Sequence, residues 1–306
     1  MAFTAIDVKN LREMTGVGMM DCKKALTEAD GNMDKAVEWL REKGLAAAQK
    51  KAGRIAAEGM AYADCVDGVG VVVEVNAETD FVAKNDKFVA FAKGIAEIVA
   101  KQNPTDLEAL MTCKYDDKNT VAEMQQEMVL VIGENINIRR FARYASGMSV
   151  PYVHMGGRIG VVVNMEVSAG LEGKDEVVGL AKDIAMQIAA LNPLYLDQTD
   201  VKPETIESEK AILMAQINED PKNASKPQEI KDKMIVGRIN KYYSENCLLQ
   251  QAFVKDDKVS VEKHAEAVAK ACGGTIKVSG FTRFEKGEGI EKKQENFADE
   301  IASLIK

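Results

Sequence analysis

The chain has 306 residues, of which 46% are hydrophobic and 29% are charged, with 40 Lys and Arg against 48 Asp and Glu. This composition is typical of a globular protein of about two domains and excludes a disordered chain. The net charge of −8 argues against a surface that binds nucleic-acid phosphates along much of its length. With only two histidines, His154 and His264, a histidine-based catalytic or metal site is nearly excluded.

The cysteines and the N-terminus indicate the compartment. Five cysteines, none spaced C-x-x-C, predict a reducing environment without a disulfide framework. No signal or transit peptide and no run of 18 uncharged apolar residues is present, so we expect a cytoplasmic protein that does not engage a membrane. The signatures of phosphate loops, dinucleotide sites, zinc proteases and serine hydrolases are also missing. We therefore predict a protein that is not an enzyme and needs no cofactor or metal.

The first 45 residues predict three short helices, because apolar residues recur there at spacings of three and four. Gly44 is predicted to end the third helix, and residues 45–54 are interpreted as a linker that could itself be helical. Met19 and Met20 follow the turn Gly16-Val17-Gly18. They suit either a tight turn with Met in the core, which the sequence alone favours, or an apolar loop offered to a partner.

From about residue 57 the pattern changes to strands and helices of a first α+β unit. Asp67-Gly68 is a hairpin signal between two strands, Pro104 ends a helix, and Gly133 ends another. The predicted elements are strands at Gly59–Val66, Val69–Val75 and Ile136–Tyr144, a helix through Phe88 and Val99, and a helix over roughly Val121–Ile132.

The same unit recurs later in the chain. Gly70-Val71-Val72-Val73 matches Gly160-Val161-Val162-Val163, the following helix recurs at an offset of 89, and the closing strand recurs at an offset of 140. The predicted fold class is therefore α+β, with a duplicated core of two antiparallel three-stranded sheets. A helical hairpin is inserted at about 201–246, with Pro203 in the first turn of one helix and Ser225 as the N-cap of the other. A last amphipathic helix is predicted to end near Ile305.

Two further stretches stand out. Thr79-Asp80-Phe81-Val82 follows a buried strand, a place where α/β proteins carry functional groups. Thr79, Asp80 or Asn85 could simply cap the next helix with Phe81 packed beneath; alternatively, an exposed Phe81 beside a charge would form a wedge. His154 lies in a glycine-rich hairpin, where a lone histidine is usually just solvated, and His264 is expected at the surface.

Several of these motifs, in this order, resemble the bacterial elongation factor Ts family over essentially the whole chain. They are Leu11–Leu26, Thr79–Val82, Ile132–Arg140, Tyr152–Gly160 and Phe281–Glu291. The resemblance implies a ubiquitin-associated-like N-terminal domain, a duplicated core, an inserted coiled-coil hairpin and a C-terminal helical module. The corresponding boundaries are 1–54 with the linker, 55–147 and 148–286 for the two halves of the core, and 287–306.

The resemblance also implies a function: binding of elongation factor Tu·GDP and release of GDP by disturbance of its Mg²⁺ and phosphate site. Thr79, Asp80, Phe81 and Val82 would enter the partner near Mg²⁺. Ile132, Gly133 and His154 would contact its nucleotide-binding side. The N-terminal residues nearest its GTPase domain would be Arg12, Met19, Met20 and Lys23.

Other questions stay open at this stage. No direct nucleic-acid contact is expected, and a homodimer in the complex is possible. One alternative is a ubiquitin-associated-like adaptor without exchange activity. The other is an RNA-binding module, which would need a basic face with exposed aromatic residues, although only 6% of the residues are aromatic.

Overall fold

A computed structural model describes residues 3–291, which form a mixed α+β structure. The predicted last helix lies outside the described residues. The helices are α1 Ala5–Thr15, α2 Met19–Glu28, α3 Met33–Lys51, α4 Asp86–Gln102, α5 Leu107–Thr112, α6 Val121–Ile132, α7 Asp175–Leu191, α8 Pro203–Glu219, α9 Gln228–Asn246 and α10 Val261–Cys272. The strands are β1 Glu58–Val66, β2 Val69–Ala77, β3 Asn137–Tyr144, β4 Met148–His154, β5 Ile159–Val167, β6 Ala252–Phe253, β7 Asp256–Ser260 and β8 Ile276–Glu285.

Helices α1 to α3 pack around a small core that includes Leu11, Leu26 and Leu40, and they are called the N-terminal domain below. The prediction that Gly44 ends the third helix is wrong, because α3 continues to Lys51. Gly44 instead lies buried where α3 crosses α6, and a Cβ there would be 3.5 Å from the carbonyl oxygen of Gln126. The glycine therefore lies in the helix contact, where a Cβ would make an ordinary van der Waals contact, and most of the expected linker is helical.

The first core unit is the antiparallel sheet β1-β2-β3, with α4 packed on it. Asp67 and Gly68 both adopt positive φ, 51° and 82°, which suits the two-residue turn that joins β1 to β2. Residues 70–77 of β2 are all buried, because α4 covers one face of the sheet and the second unit covers the other. This double cover explains the unbroken valine run.

The second unit is the antiparallel sheet β4-β5-β8, covered by α7 and α10. The two sheets pack back to back through a cluster that includes Ala61, Val72 and Val162, giving the layers helix, sheet, sheet, helix. The repeated glycines lie in this interface. A Cβ on Gly160 would come within 3.0 Å of the Ala61 carbonyl oxygen, and one on Gly70 within 2.9 Å of the Val162 side chain. Both glycines are therefore required by the close approach of the sheets.

Helices α8 and α9 form the inserted hairpin. Helix α8 begins at Pro203 as expected, whereas α9 has Pro227 at its N-cap and begins at Gln228, three residues after Ser225. Proline disfavours helical geometry in the residue before it, so Lys226 cannot start the helix. The hairpin has a small core that includes Ile217 and Ile239. Within residues 3–291, no helix has the length and apolar character needed to cross a membrane.

Candidate protein-docking site

The loop that follows β2 presents an aromatic side chain to solvent. Asn85 caps α4 by accepting a hydrogen bond from the Lys87 backbone N–H at 2.9 Å, and Val82 is buried beneath the loop. Phe81 is 81% exposed, so the interpretation that packs it beneath the helix is wrong. Asp80 is exposed and forms no hydrogen bond or ion pair with any described residue. The loop therefore offers an apolar ring and an uncompensated carboxylate side by side; it is called the Phe81 loop below (residues 78–84).

A carboxylate from the end of α6 holds this loop in place. Gly133 ends α6 in the left-handed conformation, φ 87°, and turns the chain so that Glu134 lies under the loop. The Glu134 carboxylate accepts hydrogen bonds from the Thr79 N–H at 3.0 Å and from the Thr79 hydroxyl at 2.6 Å. In return, the Asn135 N–H donates to Glu78 at 2.6 Å. Charge-assisted bonds of this kind are strong, so they hold the Phe81 loop in place within the free protein.

The Phe81 loop, the end of α6 and the N-terminal domain meet at one surface. A cleft of about 320 Å³ there is lined by Phe81, Ile132 and the α1–α2 turn at Gly16, among others. Lys87 Nζ donates to the Gly16 carbonyl oxygen at 3.4 Å across the cleft. The structure thus places Phe81 and Val82 beside Ile132 at one cleft.

The four candidate residues of the N-terminal domain are all exposed. Met19 and Met20 are 46% and 74% exposed, so the interpretation that places them in the core is wrong. The core beneath them is already filled by Val17, Cys22 and Leu26. Exposed methionines adapt to varied surfaces and often mark binding sites. The flanking charged residues are Arg12 and Lys23.

His154 lies apart in the chain, at the end of β4 in the second unit. It is half-buried, and its Nδ1 is 2.9 Å from the Tyr152 hydroxyl. The turn that follows is anchored to the first sheet, because the Ala61 N–H donates to the Gly157 carbonyl oxygen at 2.7 Å. The described contacts of His154 are within its own hairpin and do not join it to the Phe81 loop.

The other histidine, His264, was expected at the surface. His264 is half-buried and stacks on the Phe253 ring with 4.0 Å between centroids, so it is not a plain surface residue. Sequence reasoning also missed Glu134 as the residue that holds the Phe81 loop. A carboxylate placed directly after the helix-ending Gly133 is the signal that could have indicated it.

The titratable groups of the described residues do not assemble a reactive centre. No cluster of three His, Cys, Asp or Glu residues suited to a metal ion occurs within residues 3–291. Burial raises the pKa of the thiols of Cys22, Cys65 and Cys113, and it raises the pKa of Cys247 to about 11. These thiols are therefore protonated near neutral pH and are poor nucleophiles.

Fold and surface together define the class: a mixed α+β protein with antiparallel sheets that exposes an aromatic ring on a hydrogen-bonded loop. The family model described as elongation factor TS matches residues 78–288. The chain is 52% identical over 305 residues to elongation factor Ts of Clostridium perfringens, with 98% of each chain covered. It is 48% identical to that of Clostridium botulinum, with 99% of each covered, and 47% identical to that of Syntrophotalea carbinolica over the full length of both. The chain belongs to the elongation factor Ts family and is a translation elongation factor.

Proposed function

We propose that this protein binds elongation factor Tu in its GDP form and accelerates GDP release, so that GTP can be loaded. The observation that carries the proposal is Phe81, which is 81% exposed on a loop fixed by Glu134. Burying a phenylalanine side chain contributes about 1.5–3 kcal/mol, and this free energy is left unused in the free protein. A partner with an apolar gap of matching shape would recover it.

The mechanism acts on the partner's metal ion. Mg²⁺ bridges a nucleotide's phosphates to a GTPase, and groups behind its ligands keep it in place. Phe81 would wedge between apolar elements of the partner, and the unpaired Asp80 carboxylate would then disturb the hydrogen bonds of the metal's water ligands. Each tenfold acceleration of release requires about 1.4 kcal/mol, so the burial of Phe81 alone supports roughly 10-fold to 100-fold.

Other surfaces supply affinity around this wedge. Ile132-Gly133 lies beside Phe81 and would contact the same nucleotide-binding side, which His154 would approach from the second unit. Arg12, Met19, Met20 and Lys23 would dock the N-terminal domain on the GTPase domain. The binding would be reciprocal, because a nucleotide must weaken the factor's hold as much as the factor weakens the nucleotide's.

The proposed function goes with a division of the chain into domains. Residues 1–54 would form a ubiquitin-associated-like domain, residues 55–147 and 148–286 the two halves of the core, and 287–306 a C-terminal module. The α8–α9 hairpin would act as a short coiled coil. The protein would work in the cytoplasm as an exchange factor and not as an enzyme, because no bond is made or broken.

A fluorescent-GDP release assay with elongation factor Tu tests this function. The wild-type chain should accelerate release, and Asp80→Ala with Phe81→Ala should lose most of that acceleration while the melting temperature stays unchanged. Binding without any change in GDP release would indicate an adaptor and contradict the proposal. Full activity of the double variant would contradict the wedge.

A further inference from the structure

A buried carboxylate lies in β2, three residues before that strand ends. Glu74 has 0% exposure, and both of its oxygens are paired with arginines of the neighbouring strand β3. Arg139 Nη1 is 3.0 Å from one oxygen, and Arg140 Nε is 2.5 Å from the other. A buried charge is stable only with such pairing, so the three side chains form one unit.

The same unit reaches the chain that leaves β8. The Gly287 N–H donates to Glu74 at 2.8 Å. Arg139 Nη2 donates to the Glu288 carbonyl oxygen at 2.5 Å, and Arg140 Nη2 donates to the Glu288 carboxylate at 3.0 Å. These five residues, Glu74, Arg139, Arg140, Gly287 and Glu288, are called the Glu74 clamp below. The clamp fastens a segment that follows the second unit onto the first unit.

The backbone at this point leaves little freedom. Gly287 has φ 69°, and a Cβ there would collide with the Ala57 carbonyl group. A residue with a side chain therefore does not fit at this position. Arg140 also stacks on Phe284, 4.3 Å from the ring centroid, within the interface between the sheets. A separate ion pair nearby, Lys286 with Glu58 at 2.6 Å, adds a weaker link because both side chains are partly exposed.

The duplicated unit shows that the sheet itself does not require this charge. Asn164 takes the place of Glu74 in β5, three residues before that strand ends, and both positions border an irregularity in strand register. Asn164 is also buried, but its partners are the hydroxyls of Ser149, at 2.8 Å, and Ser279, at 2.9 Å. A neutral network therefore serves the same local geometry. The carboxylate and its two arginines have a different role.

We propose that Glu74 is a positioning residue that sets where the chain after β8 leaves the core relative to the Phe81 loop. Glu74 and Phe81 belong to one continuous stretch of chain, since β2 leads directly into the loop. The clamp thus holds Gly287 and Glu288 at a fixed position relative to the wedge, so that both can meet one partner surface. Its contribution to exchange rests on the proposed function. Its contribution to the geometry of residues 285–291 does not.

Hydrogen–deuterium exchange of the full chain tests the geometry. In Glu74→Gln, the backbone amides of residues 285–291 should exchange at least tenfold faster than in the wild type. The control is Val163→Ala, a buried change in β5 that lowers stability without touching the clamp. Equal acceleration in that control, or none in Glu74→Gln, would overturn the proposal.

A second, milder variant keeps the test decisive if Glu74→Gln does not fold. Glu288→Gln alters only the partly exposed end of the clamp and should accelerate the same amides by a smaller factor, at an unchanged melting temperature. If Glu74→Gln does not fold, this variant decides the question. Wild-type exchange at residues 285–291 of Glu288→Gln would then overturn the proposal.

The GDP-release assay tests the consequence for exchange. In Glu74→Gln, the concentration of factor that gives half-maximal acceleration should rise about tenfold, while the maximal rate is kept, because the wedge is intact. In Phe81→Ala, the maximal rate should fall instead. A rise no larger than in Val163→Ala would contradict the positioning role. Failure of the wild type to accelerate release would refute the proposed function, and the hydrogen-exchange results would still decide the geometry of the clamp.

Discussion

The loops that follow β2 and β5 occupy equivalent places in the two core units, but the first loop is one residue longer and also exposes an aromatic side chain. Phe81 and Leu171 each lie four residues beyond the end of their strand. Phe81 is 81% exposed, whereas Leu171 is 7% exposed and belongs to the core of its unit. Val82, which like Leu171 lies four residues before the next helix, is also 7% exposed, so both loops pack on their core and only the first exposes an aromatic side chain as well.

The anchoring of the two loops is nevertheless alike. In the first unit, Thr79 is bonded to Glu134, just before β3. In the second, Ser168 is bonded through its hydroxyl and its N–H to Thr275, just before β8. The comparison shows that a stable frame and an exposed apolar group are separable features. A duplicated unit can keep the first and acquire the second.

The largest expected difference between the loops is in stability. Leu171→Ala should lower the free energy of unfolding by about 2–5 kcal/mol, because it removes a buried side chain and leaves a cavity. Phe81→Ala should change it by less than about 0.5 kcal/mol, since that side chain is already exposed. Thermal or urea unfolding of the two variants measures this. Equal losses would mean that the Phe81 ring packs on the protein in solution.

A matched pair of threonine variants tests the anchors. Thr79→Val and Thr275→Val each remove one hydroxyl hydrogen bond that anchors a loop, worth roughly 1.5–3 kcal/mol for the bond to the Glu134 carboxylate and roughly 1 kcal/mol for the neutral bond to Ser168. Only Thr79→Val should slow stimulated GDP release, by about threefold to tenfold, because a looser Phe81 loop must be ordered on binding. Faster amide exchange over residues 79–84 should accompany it. A similar loss in Thr275→Val would show that the effect is general destabilisation.

The smallest effect concerns the outer face of the first unit, where α6 packs against the N-terminal domain. Burial raises the pKa of Glu127 on α6, an effect that the Arg41 guanidinium partly offsets. The raised pKa disfavours the ionised carboxylate in the folded state. The folded state therefore gains stability from the protonated Glu127 carboxyl group. This contribution is fully present below the unfolded pKa, near 4.3, and is lost as the pH rises through the higher folded pKa.

Glu127→Gln removes this pH-dependent loss. The variant should melt at a slightly higher temperature than the wild type at pH 7, and the difference should shrink as the pH falls and vanish below the unfolded pKa of about 4.3. Differential scanning calorimetry over this range checks the sign. Glu123→Gln, an exposed change one turn earlier on α6, should show the opposite sign, because the hydrogen bonds from the Thr120 N–H and hydroxyl lower the pKa of Glu123. A wild type that is more stable than Glu127→Gln at pH 7 would contradict the assignment.

Much of the fold was predictable because its signals are local. The stop of α6 at Gly133, the Asp67-Gly68 turn and the start of α8 at Pro203 each follow from the backbone preferences of single residues. The duplication was readable because the valine runs and the helix stripes recur in order. The short helix α5 and the hairpin of β6 and β7 were not predicted, because their segments are too brief to show a period.

The candidate site was only half predictable. Sequence marked Asp80-Phe81 and Met19-Met20 as unusual, but it could not decide whether these side chains are buried. Exposure depends on what other element covers a residue, and that is a property of the tertiary structure. Gly44 illustrates the same limit, since a glycine that resembles a helix end proved to be a close crossing with α6.

The sequence by itself thus determined the periodic elements, their duplication and the absence of familiar catalytic motifs, because each of these depends on the spacing of residues along the chain. Only the tertiary structure decided that Phe81 points outward while Leu171 points inward, that Glu134 holds the Phe81 loop and that Glu74 fastens residues 287–288 to the first unit. These contacts join residues far apart in the chain. Their physical cause is the packing of one unit on another, which no local pattern encodes.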